Sequence, residues 1–264
     1  MIKVDLNNPF NGAPVYYKKE TTTTMEDACK IAEGGCPSGT VIWAGYQKEG
    51  RGRISGRRWL SPPGENLLFT LILHKFELEK DISIEKSNLT HGWETRSLRF
   101  PLITGIGIAE ELNERFSLPA KVKWPNDVVV EGRKISGVLC RATEKYLLAG
   151  VGVNCNQVAF SEGLRGSVCS ISSLTSVNVD LGLLLEALLF RFKTIFSSKD
   201  WRERLESLLY LKGATVKIFL GCPQTGKTVV GRIEGIAPSG ALLFLPRGEE
   251  YPEEIVSGEI VEIR

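Results

Sequence analysis

Residues 50–59 read GRGRISGRRW, four arginines set among glycines and closed by Trp59. The whole chain carries 33 basic and 31 acidic side chains and a formal net charge of only +2, so this charge is a local concentration. A guanidinium is a planar fork that grips phosphate or carboxylate oxygens in pairs. Glycines let backbone amides close on such an anion where a Cβ would collide. Two other glycine-associated segments carry reactive or polar groups: KWPNDVVVEGRKISG at 123–137, with Lys123, Asn126, Asp127 and Lys134, and GVGVNCN at 150–156, with Asn154. Together they point to a nucleotide or another phosphorylated ligand.

These groups need a scaffold, and the pattern of apolar residues supplies one. VYYKK and TVIWAGYQ read as strands, and TTTTMEDACKIAEGG between them reads as a helix with a threonine cap, acidic residues in its first turn and glycines at its end. NLLFTLIL is continuously apolar, as a strand covered on both faces must be. RFPLITGIGIAEELNERF has helical spacing, with its acidic residues assigned to the outer face. The segment 123–142 reads as a hairpin turning at Glu131-Gly132, and YLLAGVGVNCN as a further buried strand. Segments 179–197 and 200–211 read as amphipathic helices, whereas the polar stretch 75–95 has no assignable element. Beyond residue 211 come short strands separated by Gly and Pro turns. The expected fold is therefore α+β: a larger domain over residues 1–211, with a mixed sheet packed by helices, then a small SH3-like β-barrel over 212–264.

Several classes are disfavoured. A near-neutral chain has no field for collecting nucleic acid or anionic membrane. Six cysteines in 264 residues, without close CxxC pairs, suit reduced thiols in a cytoplasmic protein. The start lacks an apolar signal core, and fewer than about 20 residues precede the first expected strand, too few for a DNA-binding module. No run approaches the roughly 18 apolar residues of a membrane span. His74 and His91 have no partner pattern for zinc or a catalytic triad. The stretch 221–228 satisfies GxxxxGK[ST], yet the residues after Thr228 are strand-like, and a phosphate loop needs a helix there. A hairpin turn is the expected outcome.

Three blocks in order, GRGRISGRRW, KWPNDVVVEGRKISGVL and GVGVNCN, resemble the signature segments of biotin protein ligases, and ETTTTM at 20–25 resembles that family's substrate-binding turn. The resemblance spans essentially the whole chain and identifies it with the short, monofunctional type. It implies ATP, biotin and Mg²⁺ as ligands, the ion arriving with the nucleotide rather than on a dedicated metal site. By position it places Thr23, Thr24, Gln47, Gly50 and Gly137 around biotin. It places Arg51, Arg53, Trp59, Lys123, Asn126, Lys134 and Asn154 around ATP or the adenylate, and makes Lys134, Arg53, Arg51 and Asp127 the catalytic set. The partner it implies is a biotin carboxyl carrier protein; a homodimer is allowed. Ile54 and Ser55 lengthen the arginine loop relative to the family pattern, leaving Arg57 and Arg58 between ligand contact and solvent-facing charge.

The implied reaction suits the side chains. A carboxylate becomes an acylating agent by attacking the α-phosphate of ATP, and fixed cations stabilise the charge that builds on the phosphoryl oxygens. A carrier lysine then takes the acyl group and AMP leaves. The alternatives are a lipoate or octanoate ligase or transferase, and a noncatalytic biotin-binding relative.

Overall fold

The computed structural model describes residues 1–75, 98–221 and 226–262. Most of the unassigned stretch 75–95 and part of the 221–228 pattern thus lie outside the described residues. The larger sheet has eight strands: β1 (Ile2–Val4), β2 (Val15–Lys18), β3 (Thr40–Ala44), β4 (Leu67–His74), β5 (Ala120–Lys123), β6 (Asp127–Val130), β7 (Arg133–Ala142) and β8 (Tyr146–Val153). Their spatial order is β1-β2-β3-β4-β8-β7-β6-β5. β2 and β3 run parallel because helix α1 (Thr24–Glu33) carries the chain back between them. Every other neighbouring pair is antiparallel, which makes the sheet mixed, as expected.

The apolar run of β4 lies in mid-sheet with seven of its eight residues buried. Its alternation divides two layers. Leu67, Phe69, Leu71 and Leu73 join the main core with α2 (Arg99–Phe116) and α4 (Leu181–Phe196), while Ile72 packs with Ala28 and Ala32 of α1 on the other face. α2 and α4 approach closely because a Cβ on Gly107 would come 2.9 Å from Cδ1 of Phe192. The short α3 (Ile171–Thr175) and α5 (Trp201–Leu208) add to these, with a 3-10 turn at Glu162–Leu164. Not all acids of α2 face outward: Glu111 is buried and paired with Arg115 and Arg191, because α4 covers that side. The hairpin at Glu131-Gly132 forms as expected, with φ of 50° and 79° at the two turn residues.

The second sheet corrects one expectation. β9 (Thr215–Leu220), β10 (Thr228–Ile236), β11 (Leu242–Pro246), β12 (Glu253–Ile255) and β13 (Gly258–Glu262) form an open antiparallel sheet in the order β12-β11-β10-β9-β13, not an SH3-like barrel. β12 pairs only with β11 and β13 only with β9 among the described residues, so no ladder joins the edges. Two residues, Val256 and Ser257, carry the chain from one edge to the other, which brings the edges near without pairing them. Thr228 opens β10 rather than a helix, and the residues around the GxxxxGK[ST] pattern belong to the β9–β10 hairpin connection. Trp124, 2% exposed, sits where the sheets meet and donates through Nε1 to the Gly240 carbonyl at 3.2 Å.

Candidate active site

Three elements enclose a cavity of about 410 Å³. One wall is the start of α1. Thr23 caps the helix, its hydroxyl accepting from the Glu26 amide at 3.0 Å, which leaves Thr24 to face the cavity. The Thr24 amide donates to Gln47 Oε1 at 2.7 Å and its hydroxyl lies 3.1 Å from the same oxygen. The floor is made by β7 and β8, where Gly137 pairs with Gly152 and Leu139 with Gly150. The absent Cβ atoms make room: one on Gly150 would meet Met25 Cε at 2.9 Å, and one on Gly152 would meet the Trp59 indole at 2.7 Å.

The roof is the arginine loop. Its ends are held by Trp59 N donating to Gly50 O at 2.8 Å and Gly52 N to Arg57 O at 2.9 Å. Gly50 is required there, since a Cβ would come 2.6 Å from the Trp59 carbonyl. Each arginine has a different tether. Arg51, 62% exposed, lies 3.1 Å from Glu26 and 3.7 Å from Glu49. Arg53 donates to Gly258 O at 2.7 Å; burial pushes its pKa down, opposed by the fields of Asp127 and Glu259. Arg57 makes two bonds to the Glu259 carboxylate, 2.7 and 2.8 Å, and these raise its pKa. Arg58 turns away to the Lys48 carbonyl at 2.6 Å. The loop thus bridges the two sheets.

Lys134 stands where floor and roof meet. Its Nζ forms an ion pair with Asp127 Oδ1 at 2.7 Å and sits 5.5 Å from the Trp59 ring centroid. A bulge between Val128 and Val129 shifts the register of the β6–β7 hairpin between the two groups. A smaller adjoining cleft of about 160 Å³ is lined by Arg53, Lys123, Asn126, Asp127, Lys134 and Glu259.

Of the residues singled out in the sequence, Thr23, Thr24, Gln47, Arg51, Arg53, Trp59, Asn126, Lys134 and Gly137 line the main cavity. Asp127 and Lys123 line the adjoining cleft, and Gly50 belongs to the loop's own fold. Asn154 is buried apart from both; its amide donates to Cys169 O at 3.0 Å and pins the end of β8. The sequence pattern does not single out Glu26, Cys140, Arg141 or Met25 as lining residues, although all four line the cavity. Period-two alternation from Gly137 and Leu139 on β7 signals Arg141, and the first-turn position on α1 signals Met25 and Glu26, whereas nothing in the pattern signals Cys140. Among the described residues no group of three or more His, Cys, Asp or Glu side chains is arranged to hold a metal.

The family model for the biotin/lipoate A/B protein ligase family matches residues 15–157, more than half of the chain. The chain belongs to that family. It is 28% identical over 259 residues to the biotin–[acetyl-CoA-carboxylase] ligase of Paracoccus denitrificans, covering 91% of this chain and 97% of the relative. It is 24% identical over 270 residues to the bifunctional ligase/repressor BirA of Bacillus spizizenii, covering 98% of this chain and 77% of that longer relative. The biotin protein ligase from Aquifex aeolicus in complex with biotin and ATP superposes with a TM-score of 0.75 at 29% identity, over 95% of this family member and 98% of that chain.

Proposed function

We propose that this family member is a biotin–protein ligase that activates biotin with ATP as biotinyl-5′-AMP and transfers the acyl group to a lysine of a biotin carboxyl carrier protein. The observation that carries the reading is the meeting of Lys134, Asp127, Arg53 and Trp59 at the junction of an uncharged cavity end and a basic loop. The Thr24–Gln47 end takes the ring system, and the glycine floor takes the body of the substrate. The carboxylate then points to Lys134, with Arg51 and Arg53 on the phosphate oxygens.

In the first step a carboxylate oxygen attacks the α-phosphorus and pyrophosphate departs. Lys134, held by Asp127, and Arg53, held by the Gly258 carbonyl, stand near the growing charge, and the more exposed Arg51 joins them on the phosphate. Magnesium would accompany ATP as the counter-ion of its phosphates, with no residue of this chain assigned to hold it. In the second step the carrier amine attacks the acyl carbon, the bond from that carbon to the phosphate oxygen breaks and AMP leaves, and Asp127 orients the amine or takes its proton. The roof sheds water from the mixed anhydride between the steps. Lys123, Asn126 and Asn154 shape the nucleotide side, Asn154 indirectly through β8.

The same proposal divides the chain into a catalytic unit over 1–211 and a C-terminal unit over 212–264 that braces the arginine loop, and it places the protein in the cytoplasm. No helix among the described residues is long and apolar enough to cross a membrane. Pyrophosphate exchange run with biotin and then with lipoate tests the reading. Biotin-dependent exchange is expected; exchange with lipoate alone, or with neither acid, overturns it.

A further inference from the structure

Thr70 is fully buried on β4, in an otherwise apolar run, and the ligand reading above does not use it. Side chains alternate along a strand, so Thr70 shares a face with Ile72, the face covered by α1. Its Oγ1 lies 2.9 Å from Thr24 Oγ1, which lies 3.1 Å from Gln47 Oε1, which also receives the Thr24 amide at 2.7 Å.

The direction of every proton in this chain follows from what each group can do. A backbone N–H only donates, so the Gln47 atom it meets is the carbonyl oxygen. That oxygen only accepts, so the Thr24 hydroxyl proton points to it. Thr24 then has no proton for Thr70, and Thr70 must be the donor to Thr24. The far end is thereby set: Gln47 Nε2 makes no hydrogen bond within the described protein, and Gln47 and Thr24 line the cavity. The cavity end presents two amide protons and a Thr24 lone pair.

We propose that Thr70 is a positioning residue that orders the Thr24–Gln47 pair to receive a ring carbonyl flanked by an N–H, the pattern of a cyclic urea. This deepens the biotin reading and rests on it. The hydroxyl of Thr70 holds Thr24 so that its lone pair faces a ligand N–H while Gln47 Nε2 faces the ligand carbonyl. Without that donor the Thr24 oxygen keeps only its bond to Gln47 Oε1 and is held less firmly, and recognition of the urea weakens while the phosphate chemistry is untouched.

Thr70→Val keeps the β-branched shape and deletes the donor; Thr70→Ser keeps the donor. Biotin and 2-iminobiotin, in which the ring carbonyl is replaced by an imine, are titrated calorimetrically into both variants and the parent protein, with KM and kcat from pyrophosphate exchange alongside. Thr70→Val is expected to raise the biotin Kd and KM about tenfold at unchanged kcat, and to narrow the preference for biotin over 2-iminobiotin by a similar factor. Thr70→Ser is expected to restore both. If Thr70→Val does not fold, Thr70→Ala is read by the same ratios. A parent protein that binds biotin together with variants showing an unchanged ligand preference overturns the role of Thr70 alone; a parent protein that binds no biotin overturns the functional reading with it.

Discussion

The indole of Trp59 rests directly on Gly152: a Cβ at that glycine would lie 2.7 Å from both Cε2 and Cζ2. Gly137, paired with Gly152 across β7 and β8, gives the same ring room on its other side, where a Cβ would come 3.2 Å from Cζ3. The floor therefore sets the height of the roof, and two glycines distant from the arginine loop decide where its last residue sits.

Gly152→Ala tests that contact. The β8 backbone at this point is held by β4 on one side and β7 on the other, so the new methyl group cannot retreat and the indole must lift. The protein is expected to fold, losing about 1–3 kcal/mol from overpacking. Its kcat/KM for biotin is expected to fall at least about tenfold, because Trp59 carries the loop and the Lys134 contact with it. Steady-state exchange kinetics with a thermal melt check this; full kcat/KM in a folded variant removes the seating argument.

Lys134→Gln separates chemistry from stability. The ion pair with Asp127 is partly solvated, the two side chains being 32% and 27% exposed, so its loss is expected to cost less than about 1 kcal/mol of folding stability. A fixed cation at developing phosphoryl charge is worth more, about 3 kcal/mol or a hundredfold in rate. Single-turnover adenylate formation measures the second quantity and urea unfolding the first. A rate within a factor of two of the parent protein removes Lys134 from the chemistry.

How far the sequence reaches depends on whether a feature is local. The α2 helix matches RFPLITGIGIAEELNERF end to end because its apolar spacing is internal to the segment. The turn at Glu131-Gly132 is equally legible, since few residue pairs accept two positive φ angles. β1 escapes the pattern because Ile2 is 62% exposed and its three residues form a strand only by pairing with β2. The expectation of barrel closure fails for a related reason. Short strands and turns announce a small sheet, but whether β12 pairs with β13 is decided by coiling, not by either strand's composition. At the site, most of the residues the resemblance singles out line one cavity, Lys123 and Asp127 line the cleft beside it and Asn154 lies apart, and the resemblance cannot show that Arg57 is held by Glu259, 202 positions away. Thr70 is hidden altogether, one hydroxyl in a run whose other residues serve the core.

The Arg57–Glu259 contact couples the loop to the second sheet. Arg57 is 56% exposed, so Glu259→Gln is expected to change stability by less than about 1 kcal/mol. Losing a bidentate tether nevertheless frees the loop tip, and KM for ATP is expected to rise a few-fold, less so at high salt where the pair is already screened. A double-mutant cycle with Arg57→Gln makes the test specific: the two changes should be non-additive, the second costing little once the first is made. Additive effects on KM would mean that each residue acts independently of the tether.

Cys155 provides a pH signature of the core beneath the site. It is fully buried, and burial pushes its thiol up to about 12 from an ordinary 9.0. Below about pH 9 the thiol is protonated in both folded and unfolded chains and contributes no pH dependence. Above about pH 9 the unfolded chain releases this proton while the folded chain keeps it, so the unfolded state binds fewer protons and stability falls as pH rises, until the folded thiol ionises near pH 12. The slope from this one group approaches about 1.4 kcal/mol per pH unit within that window. Between about pH 8.5 and about pH 10.5, urea unfolding is expected to show a smaller loss of stability for Cys155→Ala than for the parent protein. The same burial protects the thiol from iodoacetamide near neutral pH, since the thiolate is the reacting form, whereas the half-buried Cys29 and Cys36 are expected to label before it. Parallel pH curves for the variant and its parent, or prompt labelling of Cys155 in the folded protein, contradict a dry, closed core under β8.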